Sequence, residues 1–162
     1  MRRWVLFFML FLAARDFAGC ADAVLQAHGL GRAHHRALHF IAREPGLPVS
    51  DLLVALGVTK QSLSRVLAPL LAADMVRQSA GVSDRRQRLL TLTEAGVALE
   101  RALFEHQKER LVQAYRDAGG VAVDGFRRVM RGIMGDAARA MLDAKADLPG
   151  TPAQTAARTR VV

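Results

Sequence analysis

The chain has a single cysteine, Cys20, among 162 residues. That excludes an intrachain disulfide and fits a reducing compartment. Aromatic residues make up only 6%, against 51% hydrophobic residues overall. A core would therefore be packed by Leu, Val, Ala and Met, in a composition that favours helices. The apolar stretch from Trp4 to Ala14 falls short of the about 20 residues that span a bilayer. The sequence shows no nucleophile–base pairing, no glycine-rich phosphate loop, no carboxylate pair with a clear purpose and no internal repeat, so it does not read as an enzyme. Acidic residues are also scarce: 15 Asp and Glu stand against 23 Lys and Arg, a net charge of +8. Such a surplus points to a polyanion, either nucleic acid or an anionic membrane surface.

The opening stretch, MRRWVLFFMLFLAARDFAGCADA, supports two readings. Two arginines, an apolar run and small residues around Cys20 outline an export signal, and Phe17-Ala18-Gly19-Cys20 looks like a lipoprotein cleavage box. On that alternative the chain is an exported lipoprotein or membrane-anchored protein using residues 1–20 as a signal. The other reading is a helix. Leu6, Leu10, Ala13, Phe17, Ala21 and Val24 recur at steps of three and four, as one helix face does. The pattern passes through Arg15-Asp16 and beyond Cys20, so one continuous helix is expected, stopping at His28-Gly29.

Further along, RAHHRALHFIAREPG reads as a short helix with Ala33, Leu38, Ile41 and Ala42 inward. In LPVSDLLVALG, Ser50 is expected to cap a helix that Gly57 ends, with Leu52, Leu53 and Leu56 inside. Val58 makes the turn, and Thr59 caps KQSLSRVLAPLLAADM, whose inner positions are Leu63, Val66, Leu67 and Leu70. This helix, tight turn and helix is the helix-turn-helix outline. Residues 76–80 and 88–92 can pair as a hairpin with a polar tip from Gly81 to Gln87. Thr93 then caps a long helix that Gly119-Gly120 breaks. One last helix, capped near Asp124, is expected to carry Phe126, Val129, Met130, Ile133, Ala137 and Met141 on one face.

The candidate chemistry lies on the second helix of the pair. Thr59, Lys60, Gln61, Ser62, Ser64 and Arg65 crowd its front half, the part of such a helix that enters the major groove. Gln can pair with adenine, and Lys or Arg with guanine. Thr59 and Ser62 can hold phosphates, helped by the free N–H groups of the helix start. At the hairpin tip, Asp84-Arg85-Arg86-Gln87-Arg88 clusters three arginines. Such a tip suits the minor groove, whose negative potential draws in guanidinium groups, and Asp84 is placed to orient one arginine through a charge-assisted pair.

These residues carry a resemblance. Leu52 to Gly57, Thr59-Lys60-Gln61-Ser62-Leu63, Asp84-Arg85-Arg86 and Leu92-Thr93-Glu94-Ala95-Gly96 look like the winged helix-turn-helix core of the MarR family of bacterial transcription regulators. One departure is Asp74, where the family usually has glycine. The resemblance implies a mainly α fold with a small β-hairpin wing: a winged helix-turn-helix domain plus a helical dimerisation domain. It divides the chain into an N-terminal dimerisation helix (1–30), the DNA-binding domain (31–96), C-terminal dimerisation helices (97–145) and a disordered tail (146–162). It further implies a cytoplasmic homodimer, a repressor in type, that binds a pseudo-palindromic operator in double-stranded DNA with no cofactor and no membrane contact. The first helix, which the resemblance bounds at Met1 to Gln26, then faces a partner chain.

His35 and His39, four residues apart, have the spacing of two metal ligands, with Cys20, His28, Asp16 or His106 as conceivable partners. Two ligands do not make a site, and Arg36 breaks the HExxH pattern, so no metal is assigned. In the resembling family this helix borders a cleft that binds small anionic or phenolic ligands, which makes Arg15, His35 and His39 the candidate effector contacts. Cys20 reads as a small packing residue.

Overall fold

The computed structural model describes residues 3–146; the expected tail otherwise lies outside them. The chain divides into two units, one up to Ala114 and one from Tyr115. In order, the elements are α1 (Arg3–Gly19), α2 (Asp22–Ala27), α3 (Arg32–Arg43), β1 (Leu47–Pro48), α4 (Val49–Leu56), α5 (Lys60–Ala72), β2 (Val76–Ala80), β3 (Arg88–Leu92), α6 (Glu94–Ala118), α7 (Gly120–Ile133) and α8 (Asp136–Ala146).

The first unit is built on an aliphatic core. Leu25, Leu38, Ile41, Leu52, Leu63, Leu70, Val76, Leu90 and Leu103 are fully buried, as the scarcity of aromatics requires. Helix α3 packs on both α4 and α5, so it is the platform of the helix-turn-helix. The turn between them forms for local reasons. Gly57 sits at φ 63°, where a side chain would be strained. Its N–H donates to the carbonyls of Leu53 and Val54, both at 3.1 Å. The Thr59 hydroxyl then accepts the Ser62 N–H at 3.2 Å and starts α5.

The expected hairpin forms, with Val76 opposite Leu92 and Ala80 opposite Arg88. A third strand joins it: β1 pairs antiparallel with β3, Leu47 against Leu90 and Pro48 against Leu89. The link from α5 to β2 uses Asp74 at φ 49°, a left-handed conformation that Asp tolerates better than most residues. Thr93 locks this link to the start of α6. Its hydroxyl donates to the Asp74 carbonyl at 2.6 Å and accepts the Gly96 N–H at 3.1 Å. Gly96 is required because any Cβ there would collide with the Met75 carbonyl. The Leu-Thr-x-x-Gly segment is thus the joint between α5, the wing and α6.

Several expectations are corrected. The N-terminal helix is not continuous to Gln26: α1 ends at Gly19 and α2 begins at Asp22. Tertiary contacts cause the break, because Ala21 and Leu25 are buried in the core and Asp22 accepts both Arg32 nitrogens, at 3.0 and 2.6 Å. On α3 the buried positions are His35, Ala37, Leu38 and Ile41, with Ala33 and Ala42 only half-buried. Ser50 is not a cap; it lies inside α4, which starts two residues earlier than a Ser50 cap implies, at Val49 after Pro48, with no side-chain cap bond.

In the second unit Asp124 lies inside α7, whose N-cap is Gly119. The single last helix is two, because Met134 is extended and α8 restarts at Asp136. The Met134 carbonyl freed by this break accepts the Arg139 Nε–H at 2.8 Å. Arg131 and Asp143 tie α7 to α8 through two hydrogen bonds of 2.7 and 2.9 Å. Within the single chain the apolar side chains of α7 remain exposed, Val129 at 63%. So do those of α1, where Phe11 is 73% exposed. Among the described residues no helix is long and apolar enough to cross a membrane.

Candidate nucleic-acid interface

Helix α5 buries Leu63, Leu67 and Leu70, which turns the opposite positions outward. Lys60, Gln61, Ser62, Ser64 and Arg65 are all exposed, as is Thr59 before them. The Thr59 and Ser62 hydroxyls also bond each other at 3.0 Å, so both are held at the helix start beside its free N–H groups.

The tip of the wing is shaped by Asp84. Its carboxylate accepts the Arg86 main-chain N–H at 2.9 Å and its carbonyl accepts the Gln87 N–H at 3.0 Å. Asp84 therefore folds the tip and does not orient a guanidinium, which corrects the expected charge pair: a short Asp side chain reaches a backbone amide two residues on more readily than a long flexible arginine. Arg85, Arg86 and Arg88 are exposed. Among the described residues neither they nor Lys60 and Arg65 form an ion pair. Cations without an internal counter-charge are free to neutralise an external anion.

A cleft of about 590 Å³ lies between α5 and the wing, with Lys60, Ser64, Arg86 and Arg88 on its walls and Leu53 and Leu67 in its floor. The helix and the wing tip are thus held side by side. Gln87 of the tip cluster lines the same cleft, as do Ser50 and Gln78, which the sequence did not mark as site residues. For Gln78 a signal existed: strand alternation puts it on the face of buried Val76, towards α5.

The candidate effector residues are dispersed. Arg15 is exposed on α1 and pairs with Asp16 at 2.8 Å, which raises its pKa and lowers that of Asp16. His35 is 5% exposed; burial, and then His39, lower its pKa. His39 is half-buried, with Nδ1 3.2 Å from Glu100, and burial followed by Arg43 lowers its pKa. Among the described residues no hydrogen bond or ion pair joins Arg15 to either histidine. Nor do any three His, Cys, Asp or Glu side chains come together as a metal site. Cys20 is half-buried in the turn after α1, its thiol donating to the Phe17 carbonyl at 2.9 Å.

Residues 28–87 match the sequence profile of the MarR family. The HTH-type transcriptional regulator PetP of Rhodobacter capsulatus is 52% identical over 130 residues, which cover 80% of this chain and 78% of PetP. Among solved structures, a MarR family regulator from Silicibacter pomeroyi has a TM-score of 0.67 at 24% identity, covering 80% of this chain and 87% of its own. NadR in complex with 4-hydroxyphenylacetate has a TM-score of 0.67 at 20% identity, covering 78% of this chain and 89% of NadR.

Proposed function

Since the chain belongs to the MarR family of helix-turn-helix transcriptional regulators, we propose that it is a cytoplasmic homodimeric repressor that reads a pseudo-palindromic operator in duplex DNA. The observation that carries this reading is the unpaired cationic and amide-bearing surface of α5 facing the arginine wing across one cleft. Gln61, Lys60 and Arg65 read base edges in the major groove. Thr59, Ser62 and Ser64 hold phosphates. Arg85, Arg86 and Arg88 reach the adjacent minor groove. Dimerisation is supported by the apolar side chains that α1 and α7 leave exposed in a single chain, Trp4, Phe8 and Phe11 on one and Phe126, Val129 and Ile133 on the other. A helix apolar on all sides is stable only when something covers it.

A small anionic or phenolic effector releases the DNA on this reading. NadR carries such a molecule, 4-hydroxyphenylacetate. For this chain the candidate contacts remain Arg15, His35 and His39; Arg15 is exposed, His35 is buried, and His39 is half-buried beside Arg43 and Phe104. The test is a footprint on the intergenic DNA beside the protein's own gene, repeated with a panel of aromatic carboxylates. A protected inverted repeat is expected. Protection that scrambled duplex abolishes equally well as a competitor overturns the operator claim.

A further inference from the structure

Outside the DNA-facing surface, a polar cluster joins α3 to α6. Glu100 is only 7% exposed, whereas carboxylates ordinarily stay at the surface. Its Oε1 accepts from His39 Nδ1 at 3.2 Å and from the Arg43 guanidinium at 3.1 Å. The His39 ring stacks on Phe104 with centroids 6.0 Å apart, and Arg43 lies 4.7 Å over the same ring. Burial and the Arg43 charge hold the His39 pKa below its usual value. Neutral His39 with its proton on Nδ1 is then a donor, and Arg43 balances the Glu100 charge.

Apolar packing would hold two helices together as firmly as a buried charge. A carboxylate shared by two directional donors does something else: it admits one geometry. That geometry matters for reading DNA, because α3 packs directly on α5. Leu103 is the last buried residue of α6, and beyond it the helix runs on to Ala118, out of the first unit. The fastening at Glu100 is therefore among the last that α6 makes with the reading head.

We propose that Glu100 is a positioning residue for DNA binding: by holding His39 and Arg43 it sets the angle between the reading head and α6, and through it the half-site spacing the dimer accepts. The inference rests on the dimeric-regulator reading above. Half-sites of such dimers lie about 34 Å apart, one DNA turn. A fastened angle selects one spacing, and a loosened one admits its neighbours.

The experiment is selection of duplexes from a random library by the full-length protein and by Glu100→Gln, with half-site sequence and spacing read by sequencing. The substitution keeps volume and one carbonyl acceptor but removes the charge between the two donors. Both proteins are expected to enrich the same half-site. In the variant the preference for the best spacing over its neighbours falls about 2- to 30-fold, the span found for substitutions along coupling networks. A merely structural role would weaken binding at every spacing alike. An unchanged spacing preference in Glu100→Gln overturns the proposal. A wild-type protein that enriches no repeat overturns the regulator reading and this one with it. Arg43→Met keeps an apolar stem over Phe104 and is selected in parallel. If circular dichroism shows Glu100→Gln unfolded, Arg43→Met decides: broadened spacing supports the proposal and unchanged spacing refutes it.

Discussion

Replacing Thr93 by Val removes one hydroxyl and keeps the shape of the side chain. That hydroxyl makes two hydrogen bonds from a residue that is 7% exposed, one to the Asp74 carbonyl at 2.6 Å and one from the Gly96 N–H at 3.1 Å. Asp74 is itself exposed, so water can reach its carbonyl and the loss there is about 1 kcal/mol. The Gly96 N–H lies in a buried residue at the unsatisfied start of a helix. Left without an acceptor, it costs about 1–3 kcal/mol. The sum is a destabilisation of about 2–4 kcal/mol. Thr93→Ser retains both bonds, loses one buried methyl and should cost under about 1.5 kcal/mol. Urea unfolding followed by far-UV circular dichroism measures both, at one fixed protein concentration because the stability of the proposed dimer would depend on it. The reasoning is refuted if Val is within about 0.5 kcal/mol of wild type, or if Ser costs as much as Val. In the first case the hydroxyl is not fastening α6; in the second, packing and not hydrogen bonding holds the joint.

Three further outcomes are expected. Arg86→Ala should weaken binding on all duplexes and lower the salt slope by about one, whereas Gln61→Ala should relax preference at particular base pairs by about 1–3 kcal/mol; binding curves on matched and scrambled DNA at several salt concentrations separate the two, and a uniform loss for Gln61→Ala removes its base-reading role. Burial lowers the pKa of both His35 and His39, so the unfolded chain takes up protons near pH 6.5 that the folded one refuses. Stability is then fully present above about pH 6.5 and declines as the pH falls below it; the urea midpoint should drop between pH 7.5 and 5.5, less so in His35→Gln, and a midpoint that rises on acidification contradicts the assignment. Placing a charge in the exposed apolar helix, Phe11→Asp, should convert the dimer to monomer at micromolar concentration by sedimentation, while a wild-type protein that already sediments as a folded monomer sinks the dimer reading.

Much of the proposed DNA-reading surface was legible in the chain itself because its causes are local. A glycine that tolerates positive φ at Gly57, a hydroxyl cap at Thr59 and apolar positions three and four apart in α5 act within one or two turns, so the exposed face from Lys60 to Arg65 follows from them. Enrichment in Val, Leu and Thr on either side of a polar tip likewise marked residues 76–80 and 88–92 as strands, down to their limits. Other features arise from groups far apart in sequence. The break at Cys20-Ala21 interrupts no apolar period; it comes from Asp22 meeting Arg32 and from Leu25 entering the core. The two-residue strand β1 carries no signal of its own, since its hydrogen-bond partners lie in β3. Nothing in the order of residues links His39 to Glu100, 61 positions away. Periodicity reports which face of a helix is apolar, but only packing brings a buried carboxylate to the two donors that make its burial tolerable.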